Sequence, residues 1–222
     1  KAIGEMSLSY MLYEHTARRI FESNPKAKII AMLRNPADRA FSQYMMNLKQ
    51  GKILETDFIK EVVQDDAQEI KGWGANHQYL MIGKYYEQLK RYFDCFPKEQ
   101  IKIFLFDDYQ KNPDKIVEEM FDFLEVNHQI AINTSEKAHE GGIPKLKKFN
   151  YFLNQSGLIS WAKNNLPRSW RSTFKKLMYQ TDKSALPSIT TEQRNFLIKY
   201  YESDILQLEK LIGKDLKNWR TI

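Results

Sequence analysis

With 222 residues, 42% hydrophobic and 28% charged, the chain is long enough for one sizeable core and too apolar for a disordered protein. Its net charge of +6 suits an anionic ligand, and a lysine-rich solvated surface equally. A single cysteine, Cys95, excludes an internal disulfide. The histidines (His15, His77, His128, His139) share no metal-ligand spacing, and no apolar run approaches the roughly 20 residues that span a bilayer.

Residues 10–23 carry Leu12, Ala17, Ile20 and Phe21 near helical spacing, and Asn24-Pro25 ends that helix. Lys28-Ile29-Ile30-Ala31-Met32-Leu33 is a nearly continuous apolar run, the pattern of a parallel strand covered on both faces. Asn35-Pro36 follows at once, an N-cap residue and then proline at the first helical position. A helix is expected from there to about Gln50, with Gly51 as its stop. A short helix is expected over 57–64, then a loop around Gly72-Trp73-Gly74. A longer amphipathic helix over 77–95 turns Leu80, Tyr85, Leu89, Tyr92 and Phe93 inward, and Pro97 closes it. Ile101-Lys102-Ile103-Phe104-Leu105-Phe106 forms the second strand, and Asn112-Pro113 caps a helix reaching Leu124. This alternation implies an α/β fold, a parallel sheet flanked by crossover helices.

From about 127 to 190 the pattern weakens. His139-Glu140-Gly141-Gly142-Ile143-Pro144-Lys145 is loop chemistry, and Lys145, Lys147 and Lys148 open a helix with Phe149, Phe152 and Leu153. Residues 161–176 gather Trp161, Arg168, Trp170, Arg171, Lys175 and Lys176; such a region suits an anionic glycan, membrane headgroups or a plain surface helix. A nucleic-acid partner is not expected, because neither a recognition fold nor an extended basic face is evident. Residues 190–212 form a long amphipathic helix closed by Gly213, with Trp219 packing back on the body. No repeat or linker divides the chain, so residues 1–222 form a single domain.

The strand–Arg34-Asn35-Pro36–helix junction is the strongest local feature. A parallel strand that runs straight into a helix places ligands beyond its carboxyl end. The new helix offers unpaired N–H groups and a positive dipole end, and Arg34 adds a planar fork that grips a phosphate with two hydrogen bonds. Ser42 lies two helical turns on if the helical phase reaches back to position 34. Arg34 and Ser42 then converge on one anion while Arg39 points elsewhere. The same residues make an ordinary junction with an arginine ion pair and a helix serine.

The pattern Arg34-Asn35-Pro36-Ala37-Asp38-Arg39-Ala40-Phe41-Ser42-Gln43-Tyr44 resembles the 3′-phosphate-binding motif of sulfotransferases that use PAPS (3′-phosphoadenosine 5′-phosphosulfate). It is most similar to the carbohydrate-acting, heparan-sulfate-like and bacterial branch. Gly4-Glu5-Met6-Ser7-Leu8-Ser9-Tyr10 is similar to the family's Gly-Glu-Lys-Ser/Thr-x-x-Tyr segment, with Met6 in place of the usual lysine. Gly83-Lys84-Tyr85-Tyr86-Glu87-Gln88-Leu89 resembles its Gly-x-Tyr-x-x-x-Leu helix. The close, from Tyr200-Tyr201 through Asp204 and Leu208 to Gly213-Lys214-Asp215-Leu216 and Trp219, resembles its terminal helix.

The resemblance implies a P-loop NTPase-like sulfotransferase fold and transfer of a sulfuryl group from PAPS to a hydroxyl or amine, of a carbohydrate in the matching branch. No metal is implied. Arg34 and Ser42 would hold the 3′-phosphate of PAPS and of its product PAP, with Arg39 and Tyr44 supporting the junction. Glu5 aligns with the family's general base, a role that suits a carboxylate because most acceptors must lose a proton as they attack. His77 is a competing base, since the cytosolic small-molecule sulfotransferases use histidine. The loop through Lys145 resembles the late family loop that closes over the nucleotide, so Lys145, with Lys148, would reach phosphate. The family's Pro-Lys-x-Gly-Thr-Thr loop for the 5′-phosphosulfate is not found, and it is expected, with the first strand, upstream of residue 1. Two alternatives stand beside this reading. One is a non-catalytic or truncated nucleotide-binding member; the other is a P-loop kinase, against which a 3′-phosphate motif argues because ATP has no such group. The single cysteine and the absence of a long apolar run favour a cytoplasmic setting, with an anchor upstream left open.

Overall fold

The computed structural model describes residues 3–7, 9–55, 57–68, 78–127, 148–149, 151–152, 156 and 187–221. The two apolar runs become strands β1 (Ile29–Leu33) and β2 (Ile101–Leu105), which pair in parallel. Ile29 stands opposite Ile101 and Leu33 opposite Leu105, so the two carboxyl ends are level. Ala31, Leu33, Ile101, Ile103, Phe104 and Leu105 are buried, but Met32 is 40% exposed, so among the described residues β1 is not covered on both faces as its apolar run predicts.

Helices α1 (Thr16–Ser23), α2 (Pro36–Lys49), α3 (Phe58–Asp66) and α4 (Tyr85–Cys95) precede β2. After it come α5 (Phe106–Lys111), α6 (Pro113–Leu124) and α7 (Thr191–Ile212). Side chains of Asn35, Asp57, Asn112 and Thr190 accept N–H bonds at the starts of α2, α3, α6 and α7, each cap contributing about 1 kcal/mol. Helix α7 sends Leu197, Tyr201, Ile205 and Leu208 into the core along one stripe, against α4 and α2, and ends on Gly213 in the left-handed region. Trp219 folds back and is 1% exposed. The α/β fold with a parallel sheet is therefore as expected.

Three boundaries differ from the sequence expectation. The first helix starts at Thr16, not near residue 10, because carbonyls that would serve its early turns are taken by α4. Arg91 donates to Met11 O (2.8 Å) and Tyr92 donates to Tyr10 O (3.0 Å). The helix expected over 77–95 is broken: a 3₁₀ turn, Met81–Gly83, precedes α4. The Asp204 carboxylate accepts from the backbone N–H groups of Tyr85 (2.9 Å) and Tyr86 (3.2 Å), and so starts a new helix there. Finally, β2 ends one residue early and Phe106 opens α5. The Gly72–Gly74 loop, His77, His128, His139, Lys145, Lys147, Leu153 and the 161–176 region lie outside the described residues. Lys148, Phe149 and Phe152 are helical and exposed.

Candidate functional site

Arg34 is the first residue past β1, and Phe106 is the first past β2. Because Leu33 and Leu105 are register partners, these two residues emerge side by side, and the Arg34 guanidinium lies over the Phe106 ring at 5.2 Å from its centroid. Among the described residues that guanidinium has no hydrogen-bonded or ion-paired partner. Its backbone is fixed instead: the buried Tyr85 phenol donates to Arg34 O at 3.0 Å.

The helix terminus beside it is closed, contrary to the sequence expectation of N–H groups open to a phosphate. Asn35 Oδ1 accepts from Ala37 N (2.9 Å), and Asn35, Pro36 and Ala37 are all buried. Asn35 Nδ2 reaches back to Trp219 O at 3.4 Å, so the C-terminal segment covers this end. Asp38 in the first turn pairs with Arg194 of α7. The junction's capacity for an anion therefore rests on the Arg34 side chain, not on the helix dipole.

Ser42 sits on the exposed side of α2. Asn35 has φ −42° and ψ 122°, outside the helical region, so the helical phase does not run back to position 34. The two-turn argument for bringing Arg34 and Ser42 together fails on that conformation. Arg39 does turn away, donating to Gln43 Oε1 (2.6 Å) and to Tyr79 O. Tyr44 is buried beside Phe41 and Phe58 and donates to Glu55 O (3.1 Å); burial pushes its phenol up to about 12.

Glu5 is exposed and accepts a hydrogen bond from the Tyr10 phenol, which holds that phenol's pKa above its ordinary value. The segment carrying Glu5 is tied to the far end of α4 through Tyr92 and Arg91, while the near end of α4 holds Arg34 through Tyr85. Helix α4 thus links the two candidate regions over about 10 Å of helix axis.

A second buried knot supports the junction. Tyr201, 0% exposed, donates to Tyr79 O (3.2 Å) and Leu80 O (3.1 Å), and its ring lies against Gly83. Asp204, one turn on, caps α4, and burial pushes its carboxyl up to about 6 despite the two N–H bonds it accepts. Trp219 packs against Tyr85 (ring centroids 6.2 Å) and donates from Nε1 to Asp107 Oδ2 (3.2 Å). The Gly83 segment, the terminal segment and the Arg34 junction thus meet in one place.

Sequence reasoning missed the roles of Asp204, Tyr85 and Phe106. An aspartate set beside the apolar stripe of α7 was the available signal for the first; nothing in the sequence alone marked Phe106. Among the described residues no group of His, Cys, Asp and Glu gathers as a metal-ligand set, and no helix is long and apolar enough to cross a membrane.

A family described as the sulfotransferase domain matches residues 7–213. The human bifunctional heparan sulfate N-deacetylase/N-sulfotransferase 2 is 23% identical over 97% of this chain and 22% of its own length. The membrane-associated sulfotransferase kil1 of Dictyostelium discoideum is 24% identical over 58% of this chain and 44% of its own. The crystal structure of a sulfotransferase from Alicyclobacillus acidocaldarius aligns with a TM-score of 0.70 at 26% identity, covering 99% of this chain and 68% of that one. The chain therefore spans less than half the length of these curated relatives.

Proposed function

The chain belongs to the sulfotransferase family, and from that premise we propose that it moves a sulfuryl group from PAPS to a hydroxyl or amine of a carbohydrate. The observation that carries the reading is the Arg34 guanidinium, set beyond the carboxyl end of a parallel strand. A side chain held by the Phe106 ring and by its own backbone, with no donor engaged by any of the described residues, fits a phosphate that accepts two parallel hydrogen bonds. Likeness to heparan sulfate relatives supports the carbohydrate acceptor.

PAPS supplies the electrophilic sulfur. A bond forms from the acceptor oxygen or nitrogen to sulfur, the bond from sulfur to the 5′-phosphate oxygen breaks, and PAP leaves with that electron pair. The acceptor's proton goes to Glu5, whose exposed carboxylate is steadied by the Tyr10 phenol. Arg34 holds the 3′-phosphate. Ser42, on the exposed side of α2, is assigned to the same phosphate by the family motif alone and not by helical phase, and Lys145 contributes from a segment outside the described residues. Arg39 and Tyr44 keep α2 in place through their bonds to the Tyr79 and Glu55 carbonyls.

Calorimetry on the full-length protein with PAP and with ADP tests this reading. PAP is expected to bind selectively; equal binding of the two, or none, would contradict it.

A further inference from the structure

The parallel register does more than bring two strands together. It makes Arg34 and Phe106, the residues after Leu33 and Leu105, neighbours beyond the sheet. The guanidinium lies 5.2 Å from the Phe106 centroid. Phe106 is in turn stacked on Tyr109 of α5, with ring centroids 6.2 Å apart and planes 28° apart. Arg34 and both rings are all half-buried, with the guanidinium over one ring and Tyr109 stacked on that ring in turn.

A guanidinium has five N–H donors, all in its plane, and a π-face that donates nothing. A cation–π contact over a ring draws on the charge and needs none of those donors. It limits the swing of a long, rotamer-rich side chain and leaves the donor fork free for an anion. We propose that Phe106 is a positioning residue for nucleotide recognition: its ring orients the Arg34 fork, and so sets the preference for a nucleotide carrying a 3′-phosphate over one without it. This rests on the reading of Arg34 given above. The helix that begins abruptly at Phe106 is what makes the arrangement possible, because it fixes the ring one residue past the strand.

The test compares PAP with adenosine 5′-phosphate, which lacks the 3′-phosphate, by calorimetry on the full-length protein. Phe106→Leu keeps an apolar side chain and removes the π-face. It is expected to weaken PAP roughly fivefold to thirtyfold, the size of a partly desolvated cation–π contact, and to leave adenosine 5′-phosphate affinity unchanged. Phe106→Tyr should restore the preference. Equal losses for both nucleotides in Phe106→Leu, or no rescue by Phe106→Tyr, would mean that Phe106 only supports the fold. Arg34→Ala separates the two claims. If it abolishes the preference while Phe106→Leu keeps it, the stack is idle and the Arg34 reading stands. If Arg34→Ala itself keeps the preference, the Arg34 reading fails and the stack's role falls with it.

Discussion

Gly83 offers the most exacting check of how the site is held. A Cβ built there would lie 2.5 Å from the Tyr201 hydroxyl oxygen and 2.7 Å and 2.8 Å from two ring carbons. These separations are well inside van der Waals contact, and Tyr201 has no room to retreat because it is fully buried. Gly83→Ala therefore forces the ring away. Overpacking of this kind costs about 1–3 kcal/mol, and strained or lost bonds from the hydroxyl to the Tyr79 and Leu80 carbonyls add roughly 1 kcal/mol. The reduced freedom of the unfolded chain returns only about 0.4–1 kcal/mol. A net loss of roughly 2–3 kcal/mol should lower the urea midpoint by about 1–2 M without changing the slope. Tyr201→Leu removes the far half of the ring, so Gly83→Ala should cost much less on that background. A stability change within about 0.5 kcal/mol for Gly83→Ala alone, or equal costs on both backgrounds, would refute the close-contact argument.

Tyr85→Phe leaves the Arg34 carbonyl without its buried donor; it should destabilise the protein by about 1–2 kcal/mol in denaturant unfolding and weaken PAP binding measurably. The Asp204 carboxyl has a folded pKa of about 6 against 3.8 unfolded, so between these values the native state holds more protons and this group's contribution falls as pH rises. Asp204→Asn abolishes that dependence. The stability deficit of the variant should therefore be larger at pH 4 than at pH 7 in parallel unfolding series, and a deficit that grows with pH would contradict the assignment. Glu5→Gln should leave PAP affinity near normal and reduce turnover by about 100-fold or more, and unchanged turnover would remove Glu5 as the base.

The junction at Arg34 was legible because local chemistry dictates it: an apolar run specifies the strand, and Asn35-Pro36 specifies where the helix begins. Helix α7 was legible for a similar reason, its apolar stripe ending on Gly213. The break before α4 was not, since Leu80, Tyr85, Leu89 and Tyr92 keep helical spacing straight through it. What divides them is a carboxylate 119 residues away in sequence, and no local pattern carries that information. The late start of α1 has the same origin, in side chains of α4 that claim carbonyls. At the site, Arg34 could be picked from its place after the strand, whereas Phe106 depends on the register of two strands. The open helix terminus expected from Asn35-Pro36 was overturned by burial: Trp219 and its segment cover that end, and only the assembled fold brings them there.

The central claim is that this chain's domain transfers sulfuryl groups. It is tested most directly by incubating the full-length protein with sulfur-labelled PAPS and a panel of glycans bearing free hydroxyls and amines. Label moving onto a glycan, and lost in Arg34→Ala, is the expected result. Selective PAP binding with no transfer to any acceptor would contradict the claim and leave a binding protein built on the same fold.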